Sequence, residues 1–142
     1  MFLGEHQHSL DAKGRVILPA RFRDQLEGGA VMAKALDGCL AVYPLEEFQQ
    51  VAARAREAAQ RGPAERQAAR ALFAGAVEFI PDKQGRVAVP ANLREFAGLT
   101  RDVIVAGMYH RIEIWDAERF RERDREGDAS ILSADDIPDF GM

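Results

Sequence analysis

Two short stretches of the chain each place an aspartate four residues before an arginine, with a glycine directly ahead of that arginine. The first reads DAKGRVILPARFR from Asp11 and the second reads DKQGRVAVPANLR from Asp82. A carboxylate in this position can accept backbone hydrogen bonds across a tight turn, and glycine supplies a positive φ where the turn needs one. The arginine then carries donors whose spacing matches guanine O6 and N7. The expected roles are turn-structuring for Asp11, Gly14, Asp82 and Gly85, and DNA contact for Arg15, Arg86, Lys13 and Lys83.

The same residue types also suit a purely structural role. An aspartate and an arginine four residues apart can form an ion pair across a turn, while the glycine and the following proline only shape the backbone. Both interpretations hold together if the aspartate braces the arginine toward a partner. A two-stranded β-ribbon fits the DNA major groove, so a turn at the end of such a ribbon can reach bases.

The resemblance between the two stretches extends into a longer internal repeat. Seven of the 14 positions from Asp11 to Asp24 are identical in the second stretch. With one inserted residue, four downstream pairs also align: Val31 with Val103, Tyr43 with Trp115, Glu46 with Glu118, and Phe48 with Phe120. We therefore interpret residues 1–57 and 75–128 as two repeats, 58–74 as a linking helix and 129–142 as a C-terminal tail.

Each repeat predicts the same order of short elements. Alternating apolar residues favour strands, and a proline after a short β-branched run suits the first turn of a helix. The expected strands are 2–10, 16–18, 31–35 and 40–43 in the first repeat, and 76–80, 87–89, 103–106 and 112–115 in the second. The helices that start at Pro19 and Pro90 should end near Gly28 and Gly98, and Asp37-Gly38 predicts a hairpin turn.

Longer helices follow the last strand of each repeat. Apolar residues recur at helical spacing from Leu45 to Ala59, and Gly62-Pro63 should end that helix and begin another through Phe73. We interpret the first helix as a core or subunit-packing face. In the second repeat Asp116 is an expected N-cap for a charged, solvated helix from Ala117 to Glu126. Tyr43 and Trp115 are expected core aromatics.

The composition excludes several classes of protein. The chain has 142 residues, 47% hydrophobic, but its longest apolar runs fall far short of the roughly 20 that span a bilayer. The first residues lack the pattern of a signal peptide, and one cysteine cannot form an internal disulfide, so a cytoplasmic location is expected. The net charge of −4 argues against nucleic-acid binding by the surface as a whole, but both repeated stretches are locally basic. Acidic residues are concentrated late in the chain, at Asp124, Glu126, Asp128, Asp135, Asp136 and Asp139.

Metal binding and catalysis have weaker support. His6 and His8 would share one face of a strand, but Glu5, Asp11, Cys39 and His110 have no recognisable ligand spacing, so surface or interface histidines are the favoured reading. The three serines lie outside any nucleophile elbow, and no phosphate-binding glycine loop is present. We expect no enzyme activity, no metal and no cofactor.

The paired D-x-x-x-R stretches, together with the first residues MFLGEHQHSLDAKGR, resemble the signature of the MraZ family over about residues 1–128. The resemblance implies a mixed α/β (α+β) fold, in which two AbrB-type swapped-hairpin units are fused into one β-barrel pseudo-dimer with flanking helices. A single-copy relative would build the same body from two chains.

The resemblance also implies a function. It indicates a bacterial transcriptional regulator, usually a repressor, that binds G-rich direct repeats upstream of the division and cell-wall gene cluster and of its own gene. Members assemble into homo-oligomeric rings of about eight or more subunits and associate with the nucleoid. On this chain the motif arginines fall on Arg15 and Arg86.

The rest of the basic pattern is not symmetric. Lys13 aligns with Gln84, and Lys83 with Ala12, so the two turns need not contact DNA equally. Arg21, Arg23 and Arg94 are further expected phosphate contacts. The alternatives from other classes are a homo-oligomeric assembly module that uses the turns as subunit contacts, and an antitoxin-like protein of the same fold. A linked set of turns on a ring would raise the effective concentration of each DNA contact.

Overall fold

The elements of the two repeats follow one another in the same order along the chain. The computed structural model describes residues 1–133 and 140–142. The strands are β1 (Glu5–Ser9), β2 (Arg15–Ile17), β3 (Ala30–Lys34), β4 (Leu40–Pro44), β5 (Val77–Phe79), β6 (Arg86–Ala88), β7 (Asp102–Gly107) and β8 (Ile112–Asp116). The helices are α1 (Ala20–Asp24), α2 (Leu45–Ala58), α3 (Pro63–Gly75), α4 (Ala91–Ala97) and α5 (Ala117–Ser133).

The strands exchange partners between the repeats. Six of them form an antiparallel sheet in the order β1-β7-β8-β4-β3-β5, and β2 and β6 form a separate two-stranded ribbon. β1 of the first repeat pairs with β7 of the second, β5 of the second pairs with β3 of the first, and the ribbon takes one strand from each. The mixed α/β class and the swapped arrangement of the repeats are therefore confirmed.

The strands of the described part of the chain form an open sheet whose edges are β1 and β5, and no closed barrel is made by strand pairing there. The ribbon lies over one face of this sheet instead. Its ladder continues by one bond at each end, from Leu18 N to Gly85 O and from Val89 N to Gly14 O, both at 2.9 Å, and neither of its strands pairs with a strand of the sheet.

The main core lies between the sheet and the ribbon. Val16 and Val87 face each other in the ribbon and are buried, and Phe22 of α1 and Leu93 of α4 close the core from the side. A smaller cluster on the opposite face of the sheet joins Trp115 to Cys39 and to Phe120 of α5. Successive side chains of a strand point to opposite faces, so each short β-branched run buries one face only. This alternation decides which face of the ribbon packs on the sheet.

The aromatic residues aligned by the repeat make equivalent contacts. Tyr43 packs on Phe48 with ring centroids 5.6 Å apart, and Trp115 packs on Phe120 at 6.1 Å. Trp115 is buried, as predicted for a core aromatic, whereas Tyr43 is only half-buried. Trp115 lies in the smaller cluster with Cys39, Ile104, Ala106 and Ala117, which covers more of its ring.

Most predicted element boundaries hold to within a few residues. α2 ends at Ala58 and α3 begins at Pro63, on either side of Gly62. Asp37 and Gly38 both have positive φ, 68° and 79°, in a single 3₁₀ turn, Leu36–Gly38, that joins β3 to β4 as a hairpin.

Two helix ends differ from the prediction. α1 ends at Asp24 rather than near Gly28, because the chain tightens there into turns with bonds between residues three apart, such as Leu26 N to Arg23 O at 2.9 Å. These turns place Leu26 in the core. α5 continues past Glu126 to Ser133, so the segment expected to be a loose tail begins as helix.

Residues 134–139 of the expected tail lie outside the described residues, and with them Asp135, Asp136 and Asp139 of the late acidic cluster. Among the helices that the structure describes, none combines the length and the apolar composition needed to cross a membrane.

Candidate nucleic-acid interface

The β2–β6 ribbon brings the two motif arginines onto one face. Arg15 lies opposite Ala88, and Ile17 lies opposite Arg86 in the antiparallel register. Because alternate residues of a strand share a face, these four side chains lie together on the side away from the buried valines. The two arginines are diagonal neighbours, a relation that sets such residues about 7–8 Å apart.

The first turn is built around the Asp11 carboxylate. Oδ1 accepts the backbone N–H groups of Lys13 and Arg15, both at 2.9 Å, and Oδ2 accepts the side-chain Nε–H of Arg15 at 2.7 Å. The backbone closes through Gly14 N to Asp11 O at 3.0 Å, with Gly14 at a φ of 74°. One carboxylate therefore fixes both the turn and the guanidinium.

The second turn repeats this geometry. Asp82 Oδ1 accepts the N–H groups of Gln84 at 2.9 Å and Arg86 at 2.8 Å, and Oδ2 accepts Arg86 Nε–H at 2.8 Å. Gly85 has a φ of 78° and closes the turn to Asp82 O at 2.9 Å. Since the two turns lie in different sequence contexts, the motif itself specifies the arrangement.

The guanidinium groups are bonded at one end only. Each motif arginine gives its Nε–H to its aspartate, and within the described residues its two terminal amino groups have no intramolecular partner. The side chains of Arg15 and Arg86 remain 28% and 34% exposed. The two terminal amino groups of each arginine are thus held at a partly exposed surface, and the bond at Nε restricts the orientation of the guanidinium plane.

The hydrogen bonds to each carboxylate also change its acidity. The backbone N–H of Arg15 is the largest cause that lowers the pKa of Asp11, with smaller contributions from the Arg15 side chain and from Lys13. The pKa of Asp82 is lowered in the same way, first by the backbone N–H of Arg86. Both carboxylates are consequently ionised at neutral pH and can hold the arginines.

The lysines of the two turns lie beside these arginines. Lys13 and Lys83 are both exposed, each within its turn. Each turn therefore carries two cations and one carboxylate, although the whole chain is acidic. The predicted site residues all lie at the ribbon and its two turns.

Sequence reasoning missed two features of this surface. Ile17, 46% exposed, lies between the arginines as an apolar contact surface. Arg23 and Arg94, predicted as phosphate contacts, lie against the glycines of the turns, a contact that the sequence analysis did not foresee. The sequence signal for the second feature was present, because Arg23 and Arg94 are among the seven identities of the repeat.

The histidines and the cysteine lie away from the ribbon's exposed face. His6 and His8 share a face of β1, and His6 packs edge-on against Phe22 with ring centroids 5.4 Å apart. Burial, and then His6, lowers the pKa of His8. Burial first, and then the Glu113 carboxylate, raises the pKa of Cys39 to about 12. Within the described ranges no three His, Cys, Asp or Glu side chains are grouped to hold a metal ion.

The helix pair α2–α3 leaves an open groove of about 700 Å³ on the surface. Ala53, Ala69 and Phe73 line it together with arginines of both helices, and Phe73 is 37% exposed. No residue of α2 is fully buried, so its apolar stripe covers the sheet only in part. The sequence predicted this helix to be either a core face or a subunit-packing face. Because α2 has no fully buried residue, a role in the core alone does not account for its apolar stripe.

Comparison with known proteins adds family evidence to this geometry. A family model described as "MraZ protein, putative antitoxin-like" matches twice, over residues 1–71 and 72–136. The chain is 49% identical over 121 residues to the transcriptional regulator MraZ of Frankia alni, covering 85% of each chain. It is 47% identical over 126 residues to the protein of the same name from Thermobifida fusca, covering 89% of this chain and 88% of the relative.

A third relative, the transcriptional regulator MraZ of Salinispora tropica, is 51% identical over 116 residues, which is 82% of each chain. The family match covers both repeats, and the two D-x-x-x-R turns have the same geometry in each. On this combined evidence the chain belongs to the MraZ family.

Proposed function

We propose that this protein is a sequence-specific DNA-binding regulator of transcription that reads G-rich direct repeats with Arg15 and Arg86. The observation that carries the proposal is the placement of both arginines on the exposed face of one two-stranded ribbon. A ribbon of this width fits the DNA major groove. Relatives at about half identity that are named transcriptional regulators support the same role.

The aspartates prepare the arginines for guanine. Each takes up the Nε–H of its arginine at 2.7–2.8 Å, so the two terminal amino groups are left for the base. Guanine presents O6 and N7 side by side in the major groove, and an arginine can bond both at once. A guanidinium already fixed at one end loses less side-chain entropy on binding.

Phosphate contacts complete the proposed interface. Lys13 and Lys83 are exposed in the same turns as the reading arginines, and exposed lysines are suited to phosphate contacts beside a groove. Because Lys13 aligns with Gln84, the first and second turns place this charge at different positions. We propose that both turns contact DNA, with unequal phosphate contributions.

We further propose that the chains assemble into a homo-oligomeric ring of about eight or more subunits, which presents many ribbons on one side. One ribbon offers few contacts, but linked ribbons raise the local concentration of each further contact. The half-exposed α2–α3 groove supports a head-to-tail interface, in which the groove of one chain receives a different surface of the next.

The proposed targets are the promoters of the division and cell-wall gene cluster and of the protein's own gene, at which binding represses transcription. We also propose that the protein is cytoplasmic, and that binding to many G-rich repeats associates it with the nucleoid. A promoter–reporter fusion checks repression, because loss of the ribbon arginines should raise expression from the protein's own promoter.

The direct test is fluorescence anisotropy with a duplex that carries three G-rich direct repeats spaced by one helical turn, beside a scrambled duplex. Each single change, Arg15→Ala or Arg86→Ala, should weaken specific binding by about 1–3 kcal/mol. Arg15→Lys should keep salt-dependent binding but lose discrimination, since lysine cannot bond O6 and N7 as a planar fork. Affinity of the wild type should fall steeply with salt.

Arg125→Ala is the matched control, because Arg125 is an exposed arginine on α5, away from the ribbon and outside the α2–α3 groove. It should bind like the wild type. Equal affinity of the wild-type protein for the repeat and scrambled duplexes would refute sequence-specific reading.

Native mass spectrometry of the same variants separates this proposal from an assembly module. If the turns are subunit contacts, the arginine variants lose the oligomer; if they read DNA, the oligomer persists and only binding is lost. A wild-type monomer at micromolar concentration with full DNA affinity would remove the ring from the proposal. The antitoxin-like alternative instead predicts a second, unrelated chain that copurifies in a fixed ratio.

A further inference from the structure

An arginine of each repeat lies against the turn of the other repeat. A Cβ atom placed on Gly14 would overlap the Arg94 guanidinium, with Cζ only 2.9 Å away. A Cβ atom placed on Gly85 would overlap Arg23 in the same way, with Cζ at 2.7 Å. Both glycines are buried although they lie in exposed turns, so the arginine from the opposite repeat covers each of them.

These contacts account for part of the internal repeat. The identities shared by the two stretches include both the glycine of the turn and the arginine four residues after the proline. The contact joins the glycine of one repeat to the arginine of the other repeat. Arg23 of the first repeat lies against Gly85 of the second, and Arg94 of the second lies against Gly14 of the first.

The two contacts differ in their hydrogen bonds. Arg94 donates from Nη1 to the carbonyl of Val89, whose own N–H bonds to Gly14 O at 2.9 Å. The opposite turn has the matching backbone bond, Leu18 N to Gly85 O at 2.9 Å, but Arg23 Nε is buried without a partner. Arg94 is therefore tied into the first turn's bonding, whereas Arg23 is held beside the second turn by packing.

We propose that Arg23 and Arg94 are positioning residues, each of which holds the opposite repeat's D-x-x-x-R turn so that the two reading arginines are set as one unit. The role in DNA reading rests on the proposed function, whereas the holding of each turn by the opposite arginine does not depend on it. Arg94 places its guanidinium, and Arg23 its Cδ, Nε and Cζ atoms, against a residue without a side chain. Neither lysine nor methionine carries a planar guanidinium into that space. The alternative is that these arginines are phosphate contacts.

Hydrogen exchange of the full-length protein without DNA tests the structural content. Arg94→Met should speed exchange about ten-fold in the peptide that contains the first turn, with a smaller change in the second, because the contact crosses between repeats. Arg23→Lys should show the reverse pattern with a smaller effect, since Arg23 Nε has no bond to lose. Arg21→Ala, an exposed arginine on the same helix, is the control and should change neither turn.

DNA binding distinguishes positioning from phosphate contact. For positioning, Arg94→Lys and Arg94→Met both weaken binding to the three-repeat duplex about ten-fold, with an unchanged salt slope. For a phosphate contact, Arg94→Lys binds like the wild type, and Arg94→Met lowers the salt slope by about one. The second result would overturn the proposal.

The exchange result decides the inference even if DNA binding fails altogether. Exchange that rises in the turn of the variant's own repeat, or equally in both turns, would contradict a reciprocal role for the arginines. If wild-type protein fails to bind the duplex while exchange shows the crosswise pattern, the positioning of the turns stands and the proposed function is wrong. Should Arg94→Met not fold, Arg23→Lys supplies the same test at the second turn.

Discussion

Each D-x-x-x-R turn forms its hydrogen bonds among its own residues. One carboxylate oxygen satisfies two backbone N–H groups, and the other fixes the arginine at 2.7 Å in the first turn and 2.8 Å in the second. The structural and DNA-binding interpretations of the motif are therefore compatible, because the ion pair that shapes the turn also orients the guanidinium. Proximity along the chain is what made this pairing predictable from the residue spacing alone.

The titration of these carboxylates is a prediction at this scale. Asp11 and Asp82 should titrate below the ordinary aspartate value of 3.8. Because the pKa is lowered in the folded protein, the turn's stabilisation is present above about pH 3.8 and is lost as the pH falls through the lower folded value. Carbon-13 NMR of the side-chain carboxyl groups measures both values.

Arg15→Ala refines the same prediction. The largest cause of the low Asp11 pKa is the backbone N–H of residue 15, which alanine retains, so the pKa should rise only in part. Asp82 in the same variant serves as the internal control and should not move. A carboxylate that titrates at or above 3.8 in the wild type would contradict the bonding described for the turn.

At the scale of elements, short strands depend on what covers them. β2 and β6 have only three residues each, and each buries a single valine in mid-strand. Two such strands are too short to be stable alone, so they persist because α1, α4 and the sheet enclose the valines. α5, by contrast, is a long helix that depends less on cover, since most of its residues are exposed.

The uneven burial of α5 predicts uneven sensitivity to substitution. Phe120, half-buried against Trp115, should cost about 2 kcal/mol on change to alanine, below the roughly 3–5 of a fully buried phenylalanine. Leu132, 86% exposed, should stay within about 0.5 kcal/mol of the wild type. Urea unfolding followed by tryptophan fluorescence gives both values. A large effect of Leu132→Ala would mean that this end of α5 packs against another chain.

At the scale of the whole molecule, neither repeat has a complete fold of its own. β1, β2 and β4 of the first repeat all pair with strands of the second, as does β3 through β5. The repeats behave as two halves of one body, whatever their boundaries in the sequence. The linking segment 58–74, which we propose as the division between them, holds the end of α2, the connection at 59–62 and α3 from Pro63 onward.

Cutting the chain between Gly62 and Pro63 tests this interdependence. The fragments 1–62 and 63–142 should each lack a cooperative unfolding transition as monomers, because every strand pair between repeats is lost. Mixed in equal amounts, they should recover the intact chain's circular dichroism and unfolding transition. A fragment that unfolds cooperatively as a monomer, measured by light scattering and thermal denaturation, would show that the exchange of strands is dispensable.

The sequence by itself determined the local features of this protein. The D-x-x-x-R turns, the helix break at Gly62-Pro63 and the Asp37-Gly38 hairpin all follow from residues a few positions apart, where backbone geometry and short-range hydrogen bonds decide. The internal repeat likewise aligned Tyr43 with Trp115 and Phe48 with Phe120, and in the structure these residues make equivalent aromatic contacts.

Only the tertiary structure decided which elements meet. Alternation of apolar residues shows which face of a strand is buried, but ladder hydrogen bonds are made by backbone groups that every residue carries, so the partner strand is not written in the pattern. The pairing of β2 with β6 is one example. The contact of Arg94 with Gly14 is another, because it joins residues 80 positions apart through the packing of two repeats.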